Sequence, residues 1–495
     1  MSRRFRDFYF TIDPRSLALF RILIGLLLIK DCQARWSHIE SFYTSFGVVE
    51  TNLIPRLNEK QAYFLWFDHV DSLRGVQLIF LLGLVVYVLF VLGYRTRIVT
   101  ALSLLFFASV VGRNVLIRHG GDTVMATMLM WSVFLPLGKR FSLDAIAGKN
   151  LHREVKSPFS FAASAIVCQI VLIYLASALT KYGSTWKNGT ALYYVLNIDQ
   201  FVYPLGAWFA ARPMWLLKAL TWGVLVLEFA VVPLVLLPFG QPYLRRIAVV
   251  ALTGMQLGIW TLMNIGDFPL VMISLNALLL TSEDWQLLRR RFPGSEAPDI
   301  QSHDAGAASA AAPPVNVWAQ AGRLITNWLV VVIFMWVLIS AYNINLAERF
   351  EVKRINELAL LDSVLSTLQL DQDWHLFAPD PISDDGWWVI DGTTKSGQHV
   401  DPLTGKPPAW DKPNDLADRY DRFWRKYLYR LWKTRNQENL AIFADYIARK
   451  DRRDHAPGQQ LATFDFYYVL EMTPPPGRPK PFQTQRVLLW SFSEL

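Results

Sequence analysis

Tyr174-Leu175-Ala176-Ser177-Ala178-Leu179-Thr180-Lys181-Tyr182-Gly183-Ser184-Thr185-Trp186 closes an apolar run that starts near Phe159. Such a run approaches the ~20 residues that cross a bilayer. It ends in a lone lysine, with Trp186 and Gly189 close behind. An ammonium group is costly in lipid, so it sits at the edge or performs a task inside. As an anchor, Lys181 with Trp186 is the Lys-plus-aromatic pair of a membrane border. As a desolvated amine, Lys181 is a general base near neutral pH. Both readings are open at this level.

Further apolar runs lie at 16–30, 76–92, 98–111, 123–137, 215–237, 247–263, 268–280 and 324–339. With 159–179 they predict about nine transmembrane helices. Composition agrees. The chain is 53% hydrophobic and 18% charged, with a mean hydropathy of +0.24. That excludes an ordinary soluble enzyme and indicates a lipid bilayer as solvent. The net charge of +8 does not point to nucleic acid, because much of it lies in short loops between apolar runs. Two cysteines give no disulfide framework and no cysteine metal site, and no metal is expected. Met1 to Phe10 is charged and aromatic without a small-residue cleavage site, so no removable signal peptide is expected.

Basic clusters set the orientation. Arg3, Arg4 and Arg6, then Arg95 and Arg97, then Lys139 through Lys156, then Arg245 and Arg246, then Arg289 to Arg291 all fall on one side if spans alternate. The positive-inside rule makes that side cytoplasmic. The N-terminus is then cytoplasmic and the C-terminus extracytoplasmic. Residues 35–74 are aromatic but too polar to span, and read as a folded loop or interfacial helices. Residues 283–322, rich in Gly, Ala, Pro and Ser from 294 on, read as a flexible cytoplasmic linker. The predicted organisation is a transmembrane domain at 1–282, that linker, a last span at 323–343 and an extracytoplasmic domain at 344–495.

The tail is polar enough for a soluble α+β domain. Trp387 to Gly392 and Gln398 to Asp401 flank a Thr-Lys-Ser-Gly turn, predicting a hairpin. Residues 416–450 have helical periodicity, with Tyr420, Phe423, Trp424, Tyr427 and Leu431 on one face and Arg422, Arg425, Lys426 and Arg430 on others. Such a helix lies on anionic lipid or packs on its own sheet. Residues 464–471 and 486–492 read as closing strands across Pro474-Pro475-Pro476-Gly477.

Three polar groups interrupt the apolar sequence. Arg113-Asn114-Val115-Leu116-Ile117-Arg118-His119-Gly120-Gly121-Asp122 is an outward reversal. It is either a turn with an internal Arg–Asp pair or a hydrogen-bonding pocket floor. Lys181 with Trp186 is the second group. Glu228 is the third, with Asn264 and Asp267 near the end of a neighbouring outward helix. A carboxylate at that depth is protonated, paired or lining a cavity, and Arg21 is one available partner. There is no Gly-rich phosphate loop, no paired-histidine metal motif and no nucleophile elbow. No internal repeat supports a transporter.

Asp13-Pro14-Arg15-Ser16-Leu17-Ala18-Leu19-Phe20-Arg21, Arg118-His119-Gly120-Gly121-Asp122 with Leu135-Pro136-Leu137-Gly138-Lys139-Arg140, and Lys181 with Trp186, Gly189, Thr190 and Ala191 resemble the bacterial HTTM (horizontally transferred transmembrane) domain family. Trp374-His375-Leu376-Phe377-Ala378-Pro379-Asp380-Pro381 is similar to that family's aromatic-Ala-Pro segment after the last span. The likeness covers about residues 10–400. The best-understood relatives are the vitamin K-dependent gamma-glutamyl carboxylases. In them a lysine deprotonates a reduced quinone, oxygen converts the quinone to a strong base, a glutamate is deprotonated and carbon dioxide adds. The resemblance implies Lys181 as base, and a reduced isoprenoid quinone, menaquinol or vitamin K hydroquinone-like, as cofactor. Arg113, Arg118, His119, Asp122, Trp186, Glu228 and Asn264 are the residues expected around it. It also implies a peptide substrate and the bacterial inner membrane as location. Thr180 stands where the carboxylases have a first lysine, His119 aligns with their pocket histidine only after a register shift, and the tail is shorter than in the animal enzymes.

The expectation is an all-α polytopic membrane bundle with a C-terminal soluble α+β domain, acting as a quinol-linked lyase. The alternative is a non-catalytic module that binds lipid or a partner and displays the tail.

Overall fold

The computed structural model describes residues 3–49, 70–148, 159–291, 317–347, 349–414, 416–478 and 482–493. The principal helices are α1 (Pro14–Trp36), α2 (Leu73–Leu92), α3 (Thr96–Arg113), α4 (Gly120–Val133), α5 (Phe161–Thr180), α6 (Met214–Leu236), α7 (Tyr243–Leu262), α8 (Phe268–Leu275) and α9 (Val317–Asn345). Every predicted apolar run falls on one of them. Five of the nine expected spans are long and apolar enough to cross a membrane: Leu73–Leu92, Thr96–Arg113, Phe161–Thr180, Met214–Leu236 and Ala321–Asn345. The others fall short for visible reasons. α1 carries Arg21, Lys30, Asp31 and Arg35, α7 opens with Arg245 and Arg246, and α4 and α8 are short.

Local chemistry sets the helix ends. Asp13 accepts from the Arg15 backbone N–H at 2.8 Å and Pro14 takes the first turn of α1. His119 and Asp122 form a reciprocal capping box on α4: His119 Nδ1 accepts from Gly121 N–H at 3.0 Å, and Asp122 accepts from His119 N–H at 2.9 Å. Gly93, at φ +69°, ends α2 in the left-handed region.

α3 and α5 are the inner helices, while α2, α6 and α9 present apolar outer faces. Leu78, Leu82, Val85, Trp215, Val226, Phe229, Ile325 and Trp328 are exposed there. Contiguous exposed apolar surface of this extent suits lipid, not water. Helix ends alternate between two faces. On one face Asp144 N–H bonds Gly93 O, Tyr9 bonds Leu236 O, Ser160 N–H bonds Phe10 O, and Arg246 pairs with Asp284. Arg21 is buried on this face and donates to the carbonyls of Leu137, at 2.8 Å, and Phe141. It therefore does not pair with Glu228. Backbone carbonyls at a turn supply its acceptors.

The opposite face carries the tail. Strands β1 (Asp384–Thr394), β2 (His399–Val400), β3 (Leu461–Met472) and β4 (Thr484–Ser493) form one antiparallel sheet in the order β2-β1-β3-β4. Thr393 pairs with His399 across the predicted hairpin turn, and Phe464 with Phe492 in the closing pair. The predicted helix at 416–450 is broken. Leu416–Arg419 is a single turn, followed by α10 (Arg422–Thr434) and α11 (Gln437–Asp454). Asp421 and Asn436 cap the two long pieces, and Arg435, left-handed at φ +48°, separates them. Trp388 packs on Phe443 of α11 and bonds Leu428 O of α10 at 3.0 Å. Trp432 stacks on Tyr468 at 3.8 Å. Of the expected linker, 283–291 is helical within Ser282–Arg291, while 292–316 lies outside the described residues. So do 50–69 of the expected interfacial loop and 479–481 of the proline-rich turn.

Charged contacts join tail to bundle. Arg422 pairs with Asp31 at 2.6 Å and with Asp267, which also takes Lys30. Arg35 is buried among Asp31 (2.6 Å), Asp122 (3.1 Å) and the Tyr43 hydroxyl (2.6 Å). Removing one partner of a buried ion pair typically costs about 3–5 kcal/mol. Arg35→Met is expected to lower the unfolding temperature of the detergent-purified protein clearly, read by loss of the monodisperse peak after heating. No change would mean that this network is solvated.

β1 contributes a second contact. Asp385 accepts from Asp199 N–H and from Gln200 Nε2 at 2.8 Å. Burial, with Asp199 nearby, lifts its carboxyl to about 7. An unfolded aspartate titrates near about 3.9, so between about pH 4 and 7 the folded chain holds a proton that the unfolded chain has released. The stability from this group is complete below that window and is lost as pH rises through about 7. Asp385→Asn should therefore flatten the unfolding temperature against pH across about pH 5 to 7. An unchanged slope would assign the effect elsewhere.

Candidate functional site

Lys181 stands where α5 stops. The Thr180 hydroxyl turns back to the Ala176 and Ser177 carbonyls at 3.1 and 3.0 Å, and Lys181 leaves the helix at ψ 59°. Its side chain folds back along α5. Nζ donates to Ser177 Oγ at 2.7 Å, one turn earlier, and to Glu228 Oε1 and Oε2 at 2.5 and 2.7 Å. The Ser177 hydroxyl reaches Glu228 at 3.3 Å. Lys181 is 7% exposed and Glu228 5%. An anchor at the water border would be open, so the geometry favours the sheltered amine. Trp186 lies over the ammonium at 5.0 Å, and its indole N–H is fixed to Phe377 O at 2.9 Å.

These groups face one cavity of about 550 Å³. Its walls are mostly apolar, with Ile173, Leu192, Val224, Met255, Ile259 and Met272 among them. Five expected residues meet here: Lys181, Glu228, Trp186, His119 and Asn264. Three do not reach it. Arg113 is buried and donates to the carbonyls of Thr44 (3.0 Å) and Val49 (2.9 Å), tying down the segment after Tyr43. Arg118 turns away to Gln369 (2.9 Å) and Asp371 (2.5 Å). Asp122 sits behind His119, committed to its cap and to Arg35. Asp122 pairs with Arg35, outside this turn, instead of with Arg113 or Arg118, and His119 and Gly120 are the turn residues that line the cavity.

Burial pushes the His119 imidazole below its usual value against the pull of Asp122. Its Nδ1 already accepts from Gly121, so the neutral ring carries its proton on Nε2. That atom makes no hydrogen bond among the described residues and stands 3.5 Å from Asp122 Oδ1. Nε2 is itself buried and faces Asp122, so the ring of His119 and not this N–H lines the cavity.

Sequence reading missed several members. Ser177 lies four residues before Lys181, a spacing that puts both on one helix face. Gln256 bonds the Tyr174 hydroxyl at 3.3 Å. The segment 375–380 folds over the cavity, held by Asp380, which accepts from the N–H groups of Ser184 (3.1 Å) and Thr185 (2.8 Å). α10 adds Arg422, Arg425, Lys426, Tyr429 and Lys433. Nothing in one sequence signals that this face of α10 covers the membrane cavity.

The HTTM domain matches residues 9–285, more than half of the chain. The chain belongs to the HTTM domain family. No curated protein and no solved structure matches it. For this HTTM protein the match spans α1 to α8, so it includes Lys181, Glu228, Trp186, His119 and Asn264 but not the α10 roof.

Chemically, Lys181 and Glu228 form one unit. Proton transfer across the 2.5 Å contact gives an amine and a carboxylic acid, and low-dielectric surroundings narrow the gap between the two forms. Lys181→Met alone leaves a buried carboxylate and Glu228→Gln alone a buried ammonium, each expected to cost about 3–5 kcal/mol. The double variant should recover much of that loss in thermal unfolding. Additive losses would show that the two side chains do not touch.

Proposed function

We propose that this HTTM protein is a quinol-linked membrane enzyme of the carboxylase-related type, with Lys181 as general base. The observation that carries the reading is the closure of the Lys181 nitrogen into a mostly apolar cavity against Glu228. Such a cavity, with the His119 ring in its wall, fits an isoprenoid quinol. When bound, that cofactor supplies the redox chemistry that yields a strong base from oxygen. Lys181 takes the hydroxyl proton as its amine, and Glu228 holds the proton that the lysine gave up. Trp186 keeps the ammonium face dry. A peptide substrate belongs to the same proposal.

The proposed setting is the bacterial inner membrane, with nine spans, a cytoplasmic N-terminus and the tail outside. The basic clusters support it. Arg95, Arg140, Arg246 and Arg289 lie on or beside the face away from the tail, where Gly93 meets Asp144 and Arg246 meets Asp284. The proposed boundaries are a membrane domain to about 282 and a tail from about 344.

A non-catalytic lipid- or partner-binding module is the second reading, supported by the mutual satisfaction of Lys181 and Glu228. Turnover separates them. Lys181→Ala should reduce quinol-dependent epoxide or carboxyglutamate formation in membranes about 10²-fold or more, as expected for loss of a general base. Undiminished product would sink the enzyme reading.

A further inference from the structure

α10 turns one stripe to the chamber: Arg422, Arg425, Lys426, Tyr429 and Lys433 recur at three- and four-residue steps. Their charges are not equivalent. Arg422 is neutralised by Asp31 and Asp267. Arg425 donates to the Asn264 carbonyl at 2.9 Å. Lys426 is partly buried, and its ammonium has no hydrogen bond or salt bridge among the described residues. Its contact is the Tyr429 ring at 5.2 Å. Burial, then the neighbouring Arg430, pushes this amine down to about 8, with Arg118 and Arg425 adding to the effect and Asp122 opposing it. Lys433 stands at the exposed end of the stripe.

A crowded, half-desolvated ammonium is unfavourable unless an anion joins it. Lys426 and Lys433 together exceed what one carboxylate neutralises. A phosphate monoester carries about −1.5 to −2 near neutral pH and three acceptor oxygens. Leu220, Val224, Met255 and Ile259 of α6 and α7, whose outer faces are also apolar, line the same chamber, and its Asp380 carboxylate is engaged by the Ser184 and Thr185 N–H groups. We propose that the α10 end of the chamber is a subsite for the phosphate monoester of a lipid, with Lys426 as its charge partner and Arg425 and Lys433 beside it. The inference uses the chamber and not its redox reading, and its test needs no turnover.

The test is calorimetric titration of the full-length protein in neutral detergent with dioctanoyl phosphatidate, dioctanoylglycerol and inorganic phosphate. Phosphatidate is expected to bind, with the matched neutral lipid and the free ion each about tenfold weaker or worse. Lys426→Met should weaken phosphatidate about ten- to a hundredfold, the range for a lost charge-assisted contact. Without ligand, the same variant should be at least as heat-stable as the parent, because an unpaired ammonium is gone. Lys433→Met should have the same sign and a smaller size. Equal binding of phosphatidate and dioctanoylglycerol, or parental affinity in Lys426→Met, overturns the subsite. Inorganic phosphate binding as tightly as phosphatidate overturns the lipid as its source.

Discussion

Arg422 holds the two halves of the molecule together. It reaches from the first turn of α10 to Asp31 on α1 and Asp267 at the start of α8. Asp31 also takes Arg35, Arg35 takes Asp122, and Asp122 caps the turn at His119. One charged network thus fixes the roof, the first helix and the pocket floor in a single register. Each member is buried or nearly so, and a missing partner would leave a charge with no water to replace it. Such a network favours one arrangement strongly over its neighbours, which is what a chamber shared between a bundle and a tail requires.

Closure matters because of what lies beneath. A lysine and a glutamate in contact at 2.5 Å contribute little to stability, since two desolvation penalties offset their attraction. Two well-packed apolar residues would serve a scaffold as well. The pair makes physical sense where a proton must be held and moved without bulk water. The segment at 375–380 and Trp186, tied together through Asp380 and Phe377 O, cover the Lys181 end. The two polar regions also differ in sign. The Lys181–Glu228 end is balanced within itself, whereas the α10 end carries the basic stripe, so the chamber is electrically asymmetric.

Much of the bundle was legible in the sequence because lipid imposes a simple rule. Runs at 76–92, 98–111, 159–179 and 215–237 satisfy it in isolation. α1 was legible for another reason: Asp13-Pro14 is a start signal that needs no environment. The hairpin at Thr393 and His399 followed from its turn residues. What failed were statements about partners. Glu228 needed a cation, and Arg21 was a reasonable choice by residue type. Arg21, however, lies at the other end of the bundle, where the 137–141 turn offers carbonyls. Arg113 and Arg118 shared a segment with His119 and so appeared to share its destination. A turn scatters adjacent side chains, and each Arg follows its own acceptor. Ser177 was within reach, since it stands one helical turn before Lys181.

α10 was the hardest element to read because it serves two cores at once. Trp432 and the Leu428 carbonyl face the sheet, while Arg422, Lys426 and Lys433 face the chamber. A helix amphipathic toward a single partner has one apolar and one polar side, and its polar side is ordinarily water-facing. Here the polar side is a roof. Part of the basic composition that resembles a lipid-surface helix in isolation is explained instead by Asp31 and Asp267, which pair with Arg422. Because Trp388 on β1 bonds to α10 itself, a displacement of the sheet would move the cations over the chamber. The tail is therefore mechanically part of the site and not an appendage to it.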